Sequence, residues 1–212
     1  YIVAGVFFLF FCFIFASAAR FFIVVCRRES KKASEKADER YFAVIKESNY
    51  AARIPDIKAG RAWLSNTPYE NIYVNASDGV TLHARLYENK SSGTNATAAA
   101  TAVLIHGHKS TGDCDFALTS KFIFNLGYTL LVIDQRAHGK SGGKYITFGT
   151  LEGDDVAIWA RYLTEKYGAE HKIILYGISM GASTALLTAA RYGGVGSLTI
   201  SGVIADCGYG SA

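Results

Sequence analysis

Hydrophobic and polar positions divide the chain into three stretches of different character. From Tyr1 to Ala19 no residue carries a charge, and behind Arg20 six more apolar residues, Phe21 to Cys26, precede the charged run "RRESKK". A run of that length suits a bilayer crossing, which takes roughly 20 apolar residues. Residues 29 to 66 are charged and helix-favouring, with Tyr41, Phe42 and Ile45 as a thin apolar stripe. They predict a helical connector, although a solvated spacer accounts equally well for the first half. From Tyr69 the pattern shortens to strands: "NIYVNAS", a turn at Asp78-Gly79, then "VTLHARLYE". Glycine accepts positive φ without steric cost, so Asp-Gly between β-branched runs predicts an antiparallel hairpin.

Beyond the loop "NKSSGTNATAAAT" come four continuous apolar runs, "AVLIHG", "TLLVIDQ", "KIILYG" and "TISGVIA". Strands buried on both faces read this way. Stretches of helical period separate them. In "TLEGDDVAIWARYLTEKYG", Val156, Trp159, Ala160, Leu163 and Tyr167 share a face, Glu152, Asp154 and Asp155 favour the positive end of the helix dipole, and Gly168 ends the helix. In "SMGASTALLTAARYGG" the small residues Gly181, Ala182 and Ser183 let a helix approach a sheet closely, and Gly193 stops it. Alternating strands and helices predict an α/β fold with a mostly parallel, doubly wound sheet, an N-terminal antiparallel hairpin and a preceding transmembrane helix. The boundaries expected are 1 to 28 for the anchor, 29 to 66 for the connector and 67 to 212 for the α/β domain.

Composition narrows the function classes. Half of the 212 residues are hydrophobic, which suits one globular domain plus the apolar front segment. "ASA" at Ala16 to Ala18 also resembles a signal-peptide cleavage site, but the hydrophobicity continues past it, which favours an uncleaved single-pass anchor. Arg20 would then snorkel to an interface or mark the end of a shorter span. Arg27, Arg28, Lys31 and Lys32 point to a cytoplasmic C-terminal side by the positive-inside rule, although the start at Tyr1 leaves the upstream flank unread and the side open. The net charge is only +4, and four positive charges sit beside the anchor, so no basic surface argues for nucleic acid. Cys12 and Cys26 lie in the apolar segment, and Cys114 and Cys207 are isolated. They form neither a disulfide framework nor a metal-ligand spacing. The sequons at Asn75 and Asn95 matter only in a glycosylating secretory pathway.

Candidate chemistry centres on "YGISMG", residues 176 to 181. Ser179 follows a buried strand and opens a helix. A very tight strand-to-helix turn lifts a serine hydroxyl above the sheet edge, and Gly177 and Gly181 would spare the backbone clashes. The competing reading is an ordinary serine N-cap. A second element, "LIHGHKSTGDCDF", ends a strand at His106-Gly107 and opens into a loop that can aim a backbone N–H at a developing oxyanion. His108 N–H and Met180 N–H are the natural pair. In "VIDQRAHGKSGG", Asp134 and Arg136 are expected to brace the loop as an ion pair, and His138 to be a solvated loop residue. No G-x-G-x-x-G follows the first buried strand, so a dinucleotide site is excluded, and no cofactor or metal is called for.

"HGHKS", "DQRAHGKSGG", "TFGTLEGDDV", "YGISMGAST" and "IADCGY", in this order, resemble the α/β-hydrolase superfamily, and within it the membrane-anchored bacterial serine-aminopeptidase-like members. The resemblance covers residues 67 to 212. It implies an α/β-hydrolase fold, Ser179 as nucleophile, His108 and Met180 as oxyanion donors, and structural roles for Asp134, Arg136 and Asp206. It also implies a serine hydrolase cleaving an ester, thioester or amide in a small-molecule, lipid or peptide substrate.

The family's catalytic order is Ser, then Asp or Glu, then His. Here all five histidines, His83, His106, His108, His138 and His171, precede Ser179, and only Asp206 among acids follows it. Asp206 is therefore either structural or the acid of the relay. The expectation is a chain truncated at both ends, holding the N-terminal part of the domain, hydrolytically weak alone, and with the strand Thr199 to Ala205 left as an uncovered apolar edge. A non-catalytic binding module of the same fold is the alternative.

Overall fold

The computed structural model describes residues 2–30, 33, 36–89, 100–194, 198 and 200–209. Lys31, Lys32, the sequon at Asn95 and Thr199, each noted above, lie outside them. Helix α1 runs Ile2–Cys26, α2 Ala37–Lys46 and α3 Ile54–Asn66, with a short 3-10 turn at Ala51–Arg53. Strands β1 (Glu70–Asn75) and β2 (Thr81–Tyr87) form the antiparallel hairpin about Gly79, whose φ is 80°. Then follow β3 (Ala100–Ile105), α4 (Gly112–Asp115), α5 (Ser120–Asn125), β4 (Thr129–Asp134), α6 (Thr150–Tyr167), β5 (Lys172–Ile178), α7 (Met180–Tyr192) and β6 (Ile200–Asp206).

The six strands make one sheet in the order β1-β2-β4-β3-β5-β6. β2 pairs antiparallel with β4, and from β4 to β6 all neighbours are parallel. Period-two alternation sends Val103 and Ile105 to one face and Ala102 and Leu104 to the other. The first face packs on Val156, Trp159, Ala160 and Leu163 of α6 and Ala185 of α7. The second packs on Leu64 of α3 and on Phe116, with Trp63 and Phe124 against it. Residues 54–66, read above as connector, thus seat Ile57 and Leu64 fully inside the domain.

Two expectations are sharpened. "TISGVIA" has the composition of a strand buried on both faces, but in this chain it was expected to stand as an uncovered apolar edge. It does: among the described residues β6 pairs with β5 alone, and Ile204 is 52% exposed. An apolar run reports a β strand, but burial depends on where the strand falls in the sheet order. The acids at the front of α6 also do more than favour a dipole. Buried Glu152 accepts the Thr147 and Gly149 N–H groups, at 2.7 and 2.9 Å, and so closes the helix start.

Helix α1 is apolar over Phe7–Cys26, a length and composition that suit a membrane span or a signal sequence, and that stretch is unburied by the rest of the protein.

Candidate active site

The turn from β5 into α7 takes a single residue. Ser179 stands there at φ 54° and ψ −118°, a left-handed φ that costs a side-chain-bearing residue about 1–2 kcal/mol. A Cβ on Gly177 would lie 2.1 Å from the Gly181 carbonyl oxygen, and one on Gly181 would lie 1.9 Å from the Ile105 carbonyl oxygen. Both glycines are therefore steric requirements of the turn. The Ser179 N–H donates to Asp206 C=O over 2.8 Å, which ties the turn to β6. An N-cap serine would have extended backbone angles and accept an N–H of the first helical turn. Ser179 does neither: its φ is left-handed, its side chain makes no cap hydrogen bond, and the residue is exposed. The N-cap reading fails on this geometry.

The loop after β3 crosses the top of this turn. A Cβ on Gly107 would lie 3.3 Å from both Ser179 Cβ and the Ile178 carbonyl oxygen. The loop's amides have separate fates. Gly107 N–H donates to Asp115 Oδ2 at 2.6 Å, while the Ser110 hydroxyl donates to Asp115 Oδ1 at 2.6 Å. Lys109, in the left-handed region at φ 51°, donates its N–H to His138 Nε2 at 3.0 Å. Between them, His108 N–H has no protein acceptor among the described residues. Met180, 1% exposed, opens α7, so its N–H has no intrahelical acceptor. Its side chain packs with Ala137 and Ile146, beside Phe148 and Tyr209.

His138 overturns its expected role as a solvated residue. It is buried, and its Nδ1–H donates to Arg136 C=O at 2.9 Å while Nε2 accepts from Lys109. Burial, then the neighbouring His106 ring at 4.8 Å, pushes its pKa down to about 3. The partners of Asp134 and Arg136 also differ from expectation. Arg136 Nε and Nη2 each reach Asp155 at 2.7 Å, and Nη1 reaches Asp78 at 2.9 Å. Asp134 instead takes His83 Nδ1 and Lys140 N–H, each at 2.8 Å. The reason is register: His83 is the cross-strand partner of Asp134, and the chain leaves the strand at 134, so Arg136 no longer shares its face. Burial works to raise the Asp134 pKa, yet the His83 and Lys140 hydrogen bonds outweigh it and the net direction is down. For Arg136, burial is likewise outweighed by the hydrogen bonds to Asp155 and Asp78, and its pKa rises.

Every imidazole is committed away from Ser179. His83 sits between Asp134 and Asn71, and His171 bonds Thr101. His106 accepts Gln135 N–H at Nε2 and donates from Nδ1 to Gly107 C=O. His108 stacks on Phe148 with ring centroids 5.2 Å apart and donates from Nε2 to Val25 C=O of α1 at 2.8 Å. The structure thus gathers Ser179, Gly177, Gly181, Gly107, His108, Met180 and Asp206, and leaves Asp134 and Arg136 in a neighbouring bracing network. Asp115 and Gln135 carry no signal in the sequence, and Asp155 and Asp78 read there only as helix-dipole and turn residues; each acts through a loop partner that local pattern does not reveal.

Sheet order, hairpin entry and the strained serine turn define an α/β-hydrolase fold. A family model described as serine aminopeptidase, S33, matches residues 96–205, just over half of the chain. The chain belongs to that family. The esterase Pf2001 of Pyrococcus furiosus is similar at 27% identity and TM-score 0.56, over 67% of this chain and 51% of that one. The α/β hydrolase GrgF of Penicillium sp. sh18, 19% identical with TM-score 0.53, shares the fold over 64% of this chain and 44% of its own. YqkD of Bacillus subtilis, an uncharacterized protein, is 39% identical over 85 residues, which are 40% of this chain and 27% of YqkD. The chain therefore spans about half of the Pyrococcus esterase and about a quarter of YqkD.

Proposed function

We propose that the protein is a membrane-tethered serine hydrolase, acting on an ester, thioester or amide through an acyl-enzyme at Ser179. The observation that carries this reading is the strained turn at Ser179, whose exposed hydroxyl caps nothing beneath a loop with an unspent N–H at His108. In this mechanism Ser179 Oγ attacks the carbonyl carbon. The former carbonyl oxygen becomes an oxyanion received by His108 N–H and Met180 N–H, donors of which each contributes about 2.7–4 kcal/mol. Collapse of the intermediate expels the leaving group, and water then releases the acyl group. Asp115 and His138 act at one remove, by occupying the Gly107 and Lys109 amides and so leaving the His108 amide to face the site.

The hydroxyl proton needs a base. Since all five imidazoles are bonded elsewhere, we assign the base and its acid to sequence outside these 212 residues, as the family's chain order implies. The same commitments favour, as the second reading, a binding module that uses this surface without catalysis.

A fluorophosphonate probe tests the proposal. Expected is strong labelling of a full-length protein, its loss in Ser179→Ala, and weak labelling of the 212-residue chain. A full-length protein that does not label would leave the binding-module reading standing. Labelling that survives Ser179→Ala would move the nucleophile elsewhere.

A further inference from the structure

The last turn of α1 is bonded to the loops after β3 and β4. Val25 C=O accepts from His108 Nε2, and Val24 C=O from Lys109 Nζ. Arg27 bridges Tyr145, with Ile146 N–H on Cys26 C=O at 2.6 Å and Arg28 N–H on Lys144 C=O at 2.9 Å. The Phe22 and Tyr145 rings meet at 5.4 Å.

Between the helix end and these loops lies an open groove of about 870 Å3. Ile23 and Val24 form its apolar wall, continuous with the exposed surface of α1. Arg27, Arg28, Lys109 and Lys144 are its cationic lining. Among the described residues none of these four belongs to an ion pair. The Arg28 guanidinium bonds the Gly139 and Ser141 carbonyls, and Lys109 the Val24 carbonyl, contacts that orient the cations without neutralising them. Glu29 also lines the groove, and its carboxylate is held by Arg40 at 3.1 Å. Four cations outside any ion pair, facing one carboxylate already paired with Arg40, make a field for an anion. The apolar wall beside them suits an anion with a hydrocarbon tail.

We propose that this groove binds the phosphate headgroup of an anionic membrane lipid. The phosphate lies among Arg27, Lys109 and Lys144, and an acyl chain runs along Ile23 and Val24 toward the bilayer. The proposal rests on reading α1 as a membrane span and is independent of Ser179 chemistry. It puts a bound lipid beside the His108 loop, because Lys109 belongs to both.

The test uses the 212-residue chain in nanodiscs of equimolar phosphatidylcholine and phosphatidylglycerol, with retained lipid identified by native mass spectrometry. Expected is preferential retention of phosphatidylglycerol. Each cation near anionic lipid contributes roughly five-fold, so Arg27→Gln combined with Lys144→Gln should lower the preference about thirty-fold. Both side chains are exposed and bond nothing else among the described residues, so the fold is preserved, and circular dichroism checks it. Lys172→Gln, at the opposite end of β5, should leave the preference unchanged. Equal retention of the two lipids, or an unaltered preference in the double variant, overturns the proposal. So does displacement of the lipid by millimolar inorganic phosphate, which would assign the groove to free phosphate. An intact mass showing cleavage at Ala18 would overturn it separately, through the loss of the membrane span.

Discussion

The backbone N–H of Lys109 donates to Nε2 of His138 across 3.0 Å, joining the loop after β3 to the loop after β4 above Ser179. This bond needs an unprotonated imidazole nitrogen. Burial and the adjacent His106 push the His138 pKa down to about 3, against an ordinary value near 6.5. Between those limits the unfolded chain binds more protons than the folded one, so stability falls as pH falls. From pH 7 to pH 5 this group removes about 2 kcal/mol. His138→Gln, which keeps an oxygen acceptor for Lys109, should lose that part of the pH dependence in urea titrations. An identical pH slope in both proteins would refute it.

Gly181 approaches Ile105 so closely that an added Cβ would fall 1.9 Å from a backbone oxygen. The obstacle is main chain and cannot rotate away. Gly181→Ala should therefore cost at least 3 kcal/mol, on the order of severe overpacking, or prevent folding. Gly168→Ala, with open space around it but a φ of 100° and ψ of 163° that glycine alone adopts readily, should cost only that backbone strain, about 1–3 kcal/mol. Chemical denaturation of the two variants compares them directly.

Ser179 holds its left-handed φ without a cap bond to compensate. Replacing it by glycine relieves the strain, whereas alanine keeps it. Ser179→Gly should be more stable than Ser179→Ala by about 1 kcal/mol, with both lacking the proposed nucleophile. Equal melting temperatures would show that the backbone does not hold this conformation in solution.

Arg136 joins Asp155 of α6 to Asp78 of the hairpin turn. Arg136→Met strands a buried carboxylate at Asp155 and should cost about 3–5 kcal/mol. Adding Asp155→Leu removes the unpaired charge and should restore part of the loss. A double-mutant cycle reads the coupling; additive effects would mean that the pair is not formed.

Much of the fold is local, and so it is legible along the chain. The apolar runs of β3, β4 and β5, the Asp-Gly turn and the small residues that open α7 are all neighbours in sequence. The turn at Ser179 was legible for the same reason, since Gly177 and Gly181 are two residues away on either side. The expected Asp134–Arg136 pair failed because proximity in sequence stood in for proximity in space, while Asp134 had its cross-strand partner in His83. His138 was misjudged because a polar loop segment hides how deeply one of its side chains is buried.

The sequence by itself determined an apolar helix, an antiparallel hairpin, alternating strands and helices, and a serine between two obligatory glycines, because periodicity and steric demand act over a few residues. Only the tertiary structure decided that Asp115 and His138 hold the loop over Ser179, that all five imidazoles are bonded elsewhere, and that α1 ends on His108 and Lys109. Those relationships depend on strand order and on contacts between distant segments, which no local pattern of side chains encodes.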